Sequence, residues 1–380
     1  MNNKRVAIVI DSIGYGGAER LLVSLLSHMD RKSVNIDVIV LFSDLSLIKE
    51  FQKTGVNIIT IDENYCSRWN IVKILYKILI NTDNIKYDIV WGHLYFGNIY
   101  STIFGIIKKI TIVWTLHSPC VYTDKNIKFR HRFRQLFERI LGGLSDLIVA
   151  VSYAVEEDYR HIMKWEHIKV IYNGVDFSVF PTKCTKTKGN LVRDRYKISP
   201  TDFLIVTPGR YAIEKGHMVI LDALRILEDQ YFIKPKWITA GHGGLKSYIQ
   251  KKSLLEGLSD RFIMLDALIH SELLALMSCS DTIVIPSIRE PFGIVAVEAM
   301  GLGIPLINSK VDGLIEVVGS HNCSVVISPG NSQELADAVF LLYSNYELRN
   351  KLAHNGYKRA RKEFDILKCS KKWENLLIEL

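Results

Sequence analysis

The sequence predicts an α/β protein of two domains, each built on a parallel sheet with helices packed on both faces. Three observations predict it. Short apolar runs recur from end to end, separated by amphipathic helical stretches, as in parallel sheets buried on both sides. The 380 residues are more than one ordinary core accommodates. A polar, basic stretch near mid-chain, Thr182 to Lys197, reads as an exposed loop entering a second domain.

In the first half, strands are predicted at Val6–Ile10, Ile36–Leu41, Ile58–Ile61, Ile89–Trp91, Ile112–Thr115, Leu147–Val151 and Ile168–Ile171. Helical patterns fall between them at Ala18–Met29, Asn70–Leu79, Asn98–Lys109, Arg130–Leu141 and Ala154–Met163. In the second half, strands are predicted at Phe203–Thr207, Lys236–Thr239, Arg261–Met264, Thr282–Ile285, Ile304–Ile307 and Ser324–Ile327, again with helices between. The domain boundary falls near Asn173-Gly174-Val175-Asp176, just past a strand, giving domains 1–173 and 174–365. The final segment, Leu367 to Leu380, is helical in pattern. Neither an internal repeat nor a low-complexity tract interrupts this order.

Composition is that of a globular protein, 48% hydrophobic and 23% charged. No apolar run approaches the ~18 residues of a membrane span. The first strand begins almost at Met1 with no secretory signal before it, and six scattered cysteines lack any C-x-x-C pair. Both point to a reducing cytoplasm, away from a disulfide framework or a zinc site. Net charge is +8. Much of the excess lies between Asp124 and Arg139, where Lys125, Lys128, Arg130, Arg132, Arg134 and Arg139 interleave with Phe129, Phe133, Leu136 and Phe137. That is the pattern of a basic amphipathic helix lying on anionic lipid, and equally of a solvated helix with one core-facing stripe. No nucleic-acid-binding signature accompanies the charge, so no nucleic-acid partner is expected.

Four constellations carry chemistry. After the first strand come Gly14, Gly16 and Gly17, then Glu19 and Arg20. Glycines at a strand-to-helix turn let a backbone approach a ligand, but the spacing is not G-x-G-x-x-G, which argues against a dinucleotide. Gly209-Arg210-Tyr211-Ala212-Ile213-Glu214-Lys215-Gly216 follows a strand, and its two cations suit a diphosphate at a sheet's carboxyl end. Ala240-Gly241-His242-Gly243-Gly244 follows the next strand and either borders a ligand or simply turns the chain. Glu290-Pro291-Phe292-Gly293-Ile294 leads into a helix carrying Glu298. The amides of residues 292–294 at that helix N-terminus suit a phosphate, and a carboxylate within the helix suits a vicinal diol such as ribose. Three histidines, His93, His117 and His242, end or follow strands and compete as polar site residues. No D-x-D and no helical histidine pair occur, so neither a metal nor a cofactor is indicated.

Together these motifs resemble the retaining glycosyltransferases of the GT-B fold, the large group 1 or family four enzymes marked by E-x7-E. Here that motif is Glu290 to Glu298, joined by G-G-x-E-R at Gly16–Arg20, G-R-x4-K-G at Gly209–Gly216 and A-G-x-G at Ala240–Gly243. The stretch Tyr211-Ala212-Ile213 departs from the more usual leucine-led one and leaves the charges in place. The resemblance implies two Rossmann-like domains whose sheets face an interdomain cleft, with the last helix, about 366–380, returning to the first domain. It implies transfer of a sugar from a nucleotide diphosphate sugar, most naturally a uridine one, to a glycan or lipid-linked hydroxyl in cell-surface polysaccharide or glycolipid assembly. The implied catalytic set is His117, Glu290, Arg210 and Lys215. The implied donor-binding set is Gly16, Gly17, Arg210, Lys215, Gly241, Pro291, Phe292, Gly293, Ile294 and Glu298. It further implies metal-independent chemistry and a cytoplasmic enzyme, peripheral on the inner face of the membrane if residues 125–139 meet anionic lipid. A nucleotide-sugar epimerase or hydrolase of the same fold, or a non-catalytic sugar-nucleotide or membrane-binding protein, are the rival readings.

Overall fold

A computed structural model describes residues 4–14, 16–64, 68–120, 129–181, 192–319 and 322–380, without the side chains of residues 62 and 129–133. The chain forms two compact units, Met1–Val175 with Ile366–Leu380, and Asp176–Asp365.

The first unit carries seven parallel strands: β1 (Lys4–Ile10), β2 (Val34–Phe42), β3 (Asn57–Glu63), β4 (Ile89–His93), β5 (Thr111–Leu116), β6 (Leu147–Ala150) and β7 (Ile168–Val170). Their order across the sheet is β3-β2-β1-β4-β5-β6-β7. The order reverses between β1 and β4, the switch point where open α/β sheets leave a crevice at their carboxyl ends. Helices α1 (Gly17–His28), α2 (Ile48–Lys53), α3 (Ile71–Asn81), α4 (Leu94–Lys108), α5 (Phe129–Gly143) and α6 (Tyr153–Met163) connect the strands. Strand residues such as Val6, Ile8, Val38, Val40 and Trp91 are fully enclosed and form one core. That core is why these runs read as continuous apolar stretches rather than alternating ones.

Two helices differ from expectation. α2 was not anticipated, because six residues with a single buried anchor, Phe51, give no readable periodicity. α4 begins at Leu94, four residues before the predicted Asn98. Leu94 itself takes φ +65°, a left-handed geometry that L residues with side chains seldom adopt.

The second unit holds six parallel strands: β8 (Leu204–Pro208), β9 (Lys236–Ala240), β10 (Phe262–Leu265), β11 (Thr282–Ile285), β12 (Leu306–Ser309) and β13 (Ser324–Ile327). Their order is β10-β9-β8-β11-β12-β13, with its own reversal between β8 and β11. Helices α7 (His217–Tyr231), α8 (Lys246–Leu255), α9 (His270–Ser278), α10 (Ile294–Leu302), α11 (Asp312–Val318), α12 (Ser332–Ser344) and α13 (Tyr346–Glu363) follow in turn. β12 starts at Leu306 rather than at the predicted Ile304. Gly303 ends α10 in the left-handed conformation, φ +70°. Pro305 then lacks an N–H for the ladder and contributes only its carbonyl, which accepts from Ile283 N at 3.0 Å.

The last helix, α14 (Ile366–Glu379), belongs to the first unit. Its Trp373 lies 4.3 Å, centroid to centroid, from Trp91. Leu376 and Leu377 join the first core, and each side chain so buried contributes about 1.5–3 kcal/mol. Glu374 Oε1 accepts from Asp30 N at 2.6 Å. A Cβ on Gly174 would stand 2.8 Å from Ile366 Cα, so only glycine admits the helix this closely.

Candidate active site

In the second unit a cavity of about 80 Å³ opens at the carboxyl ends of β8 and β11, at the switch point of that sheet. Thr207, Pro208 and Gly209 close one side, Ile285, Pro286 and Ser287 another, and Gly293, Ile294 and Val295 form the floor. Lys215 and Glu290 are its charged residues. Their side chains meet with Nζ 2.5 Å from Oε2, and Ser287 Oγ donates to the same oxygen at 3.2 Å. Lys215 is 21% exposed and Glu290 13%, so the pair is sheltered yet reachable from solvent.

The loops around the pair depend on glycine. Gly216 takes φ +69°, and a Cβ there would stand 2.0 Å from the Pro286 carbonyl oxygen. This is backbone-on-backbone packing that holds the Lys215 loop against the loop of Glu290. Ile288 N donates to Glu214 O at 2.8 Å across the same seam. A Cβ on Gly241 would meet Gly209 O at 1.9 Å, so that glycine backs the Gly209 turn from behind.

α10 starts at the cavity floor. Gly293, its N-cap, adopts φ +95°, and no side chain caps the helix. The start of the helix at Ile294 and Val295 and the positive end of its dipole therefore border the space beside Lys215, while Ala296 N turns back to Gly293 O at 2.9 Å. Phe292, by contrast, is turned inward against Phe364, ring centroids 5.6 Å apart, and neither it nor Pro291 lines the cavity.

Two further expected residues stand outside the cavity lining. Arg210 is largely exposed, and its Nη2 bonds Glu214 Oε1 at 2.8 Å. Glu298 is nearly buried, and its Oε1 lies 2.7 Å from His270 Nε2. His270, the first residue of α9, was not singled out from the sequence, where an isolated histidine at a helix start carries no signal.

The first unit has a separate polar centre. His93 ends β4 and pairs in register with Thr115 on β5. His117, two residues further along, therefore falls on the same side of the sheet. His93 Nδ1 lies 3.0 Å from His117 Nε2, and the rings stack at 5.2 Å. Both border a small cavity of about 30 Å³ with Trp91, Asn173, Leu25 and Trp373. Burial pushes His117 down to about 4, and burial, with help from His117, puts His93 well below the ordinary imidazole value.

At the glycine turn, Gly16 is the extended N-cap of α1, and a Cβ on Gly17 would meet nothing within 4 Å. Asp11 follows β1 and accepts from Gly97 N at 2.6 Å, in the first turn of α4. Burial, the larger effect, and the Glu19 carboxylate raise its pKa to about 7 against the pull of its backbone donors.

Among the described residues, no cluster of three or more His, Cys, Asp or Glu is arranged to hold a metal ion. No described helix is long and apolar enough to cross a membrane.

With this geometry in view, comparisons with known proteins converge. Residues 190–359 match the family of group 1 glycosyl transferases, and residues 15–179 match glycosyltransferase family 4. The chain is 26% identical over 303 residues to an uncharacterized glycosyltransferase of Methanocaldococcus jannaschii, covering 77% of this chain and 74% of that protein. It is 23% identical over 338 residues to the capsular polysaccharide biosynthesis glycosyltransferase CapM of Staphylococcus aureus, covering 87% and 86% of the two. In three dimensions it is similar to Anabaena HepE solved in complex with UDP, with TM-score 0.83, 22% identity and coverage of 99% of this chain and 100% of that one.

Proposed function

We propose that this chain, a glycosyltransferase with the GT-B fold, moves a sugar from a uridine diphosphate sugar to a hydroxyl of a glycan or lipid-linked acceptor, with retention and without a metal ion. The observation that carries the proposal is the sheltered Lys215–Glu290 pair beside the uncapped start of α10. An ammonium and the N-terminus of a helix around one cavity suit a diphosphate. The choice of uridine draws on HepE, which has been solved with UDP and with UDP-glucose. The choice of polysaccharide assembly draws on CapM.

In this reading the diphosphate sits against Gly293 and Ile294. Lys215 turns from Glu290 to the departing phosphate. Arg210 leaves Glu214 to help it. That exposed pair is four residues apart, so breaking it costs only about 0.3–0.5 kcal/mol. Both cations act chiefly on the leaving group as its charge develops. Glu298 binds the ribose: His270 holds Oε1, and Oε2 accepts from the diol. Glu290 faces the donor sugar. Gly16, Gly17 and His117 are assigned to the sugar and acceptor, and Gly241 supports the nucleotide loop.

Bond breaking leads and builds an oxocarbenium-like centre. The acceptor oxygen attacks from the face the phosphate leaves, and a phosphate oxygen takes its proton. Attack by Glu290 to give a covalent glycosyl-enzyme is the competing retaining route. The deciding experiment is a melting-temperature panel of nucleotide sugars, then mass spectrometry with candidate lipid-linked acceptors. Stabilisation by uridine sugars and loss of transfer in Lys215→Ala and Glu298→Ala support the assignment, and wild-type rates in both variants refute it.

We further propose that the first unit rests on an anionic membrane surface through residues 125–139. Residues 121–128 and the side chains of 129–133 lie outside the described structure, so the support comes from their surroundings. On α3, Val72, Tyr76 and Ile80 are exposed at helical spacing, preceded by exposed Trp69. On α5, Leu136 and Ile140 are exposed one turn apart, with Leu144 just beyond the helix. Trp69, just before α3, and Phe137 of α5 stand with ring centroids 6.5 Å apart. Apolar stripes beside a basic segment match a peripheral helix lying in the headgroup layer.

A further inference from the structure

The His93–His117 pair holds more information than a contact. Apart from these two rings, the cavity they share is bordered by apolar side chains, Thr115, Asn173 and two weak acids, Tyr172 and Cys369; no carboxylate, lysine or arginine lines it. His93 is buried, His117 is half-buried against it, and no charged side chain lines their cavity, so the pair is neutral at physiological pH. In a neutral pair one ring nitrogen donates and the other accepts. Two arrangements satisfy the 3.0 Å contact between His93 Nδ1 and His117 Nε2.

They differ in what they leave behind. His93 is 2% exposed, and its Nε2 is buried with no hydrogen-bond partner. If His117 donated, the proton of His93 would have to sit on that nitrogen, as a buried N–H with no acceptor. If His93 donates, the same nitrogen is a bare lone pair. A buried N–H with no acceptor is the rarer of the two.

We propose that His93 is a positioning residue: its Nδ1–H donates to His117 Nε2 and so fixes the proton of His117 on Nδ1. Resting on the assignment of His117 to the sugar side, this makes His117 a donor to a sugar oxygen and removes it as a base. Its one acceptor nitrogen is already occupied by His93. The proton released by the attacking hydroxyl then goes to the departing phosphate oxygen, which leaves protonated as the new glycosidic bond forms and the old one breaks.

The test is nitrogen NMR of ring-labelled histidine in the full chain, as wild type, His93→Asn and His93→Phe, with His117→Gln to assign the signals. Asparagine places an N–H donor where Nδ1 stood, and phenylalanine keeps the bulk without the donor. The expected result is one neutral His117 tautomer, protonated on Nδ1, in wild type and His93→Asn, from pH 8 down to about pH 5. In His93→Phe the difference between the two ring nitrogens collapses as the tautomers mix. A wild-type His117 protonated on Nε2, or identical His117 spectra in wild type and His93→Phe, overturns the proposal. UDP-glucose turnover supplies a second readout, with kcat lost in His93→Phe and kept in His93→Asn. Unchanged turnover in His117→Gln would sink the placement of His117 at the sugar, while the ring spectra still judge His93.

Discussion

Lys215 and Glu290 make opposite predictions for ligand binding and the same prediction for transfer. With no ligand, Lys215 Nζ rests 2.5 Å from Glu290 Oε2. A diphosphate must draw the ammonium away from that partner. Lys215→Met removes a charge-assisted hydrogen bond to phosphate, worth about 1.5–3 kcal/mol, so UDP affinity falls roughly 10- to 150-fold. Glu290→Gln removes the competing anion and frees the ammonium. Because the pair is 21% and 13% exposed, its net worth is discounted to about 1 kcal/mol. UDP then binds unchanged or up to about fivefold tighter. Transfer falls in both, by about 10²–10³-fold for Lys215→Met from the lost leaving-group stabilisation. Isothermal calorimetry with UDP, beside a transfer assay, reads both quantities. Weaker UDP binding by Glu290→Gln, comparable to that of Lys215→Met, would refute the competition on which this rests.

Three other perturbations follow from the same geometry. Gly216→Ala forces an L residue to φ +69°, which costs about 1–2 kcal/mol. A drop in melting temperature of roughly 2–8 °C is expected before the overlap with Pro286 is counted, with a wild-type melt as the contrary result. Asp11 has a folded pKa of about 7, above its ordinary 3.8. The native chain therefore keeps a proton that the unfolded chain has released, and stability falls as pH rises from about 4 to 7, by at most ~1.4 kcal/mol per pH unit. Asp11→Asn, whose carbonyl still accepts from Gly97, should flatten that slope in urea titrations, and an unchanged slope would contradict the assignment. Flotation with anionic vesicles should fail for the triple replacement of Arg130, Arg132 and Arg134 and weaken for Trp69→Ser. Absence of wild-type flotation at low salt would remove the membrane proposal.

The sheets were legible because their central strands are enclosed on both faces and so spell uninterrupted apolar words, whereas edge strands such as β13, with Val326 exposed, are covered less fully. Ile8 and Val284 each have no exposed surface at all. Boundaries were less legible where backbone geometry outweighed hydrophobicity. Leu94 turns left-handed with no glycine or asparagine to announce it, and Pro305 cannot join its ladder through nitrogen. At the site, residue types at strand ends could be read one by one, but their pairing could not. Lys215 and Glu290 are 75 positions apart, and they meet because β8 and β11 are neighbours in the sheet.

The same limit explains His270 and bears on how Glu298 works. A carboxylate in the middle of a helix looks self-sufficient in sequence, yet here it is 7% exposed and leans on a ring from α9. The α9 segment lies just beyond β10, the edge strand, so its partner could be found only once the sheet was assembled. The consequence is mechanical. An unsupported buried carboxylate would rotate between rotamers and present either oxygen to a ligand. With His270 on Oε1, the carboxylate is held in one orientation. If Glu298 takes the ribose as proposed, the diol meets a prepared acceptor instead of ordering one on arrival, which is the economy that preorganisation confers on binding. His270→Ala should accordingly weaken nucleoside diphosphate binding while leaving the chemical step intact, and a loss confined to kcat in that variant would show the ring to be doing something else.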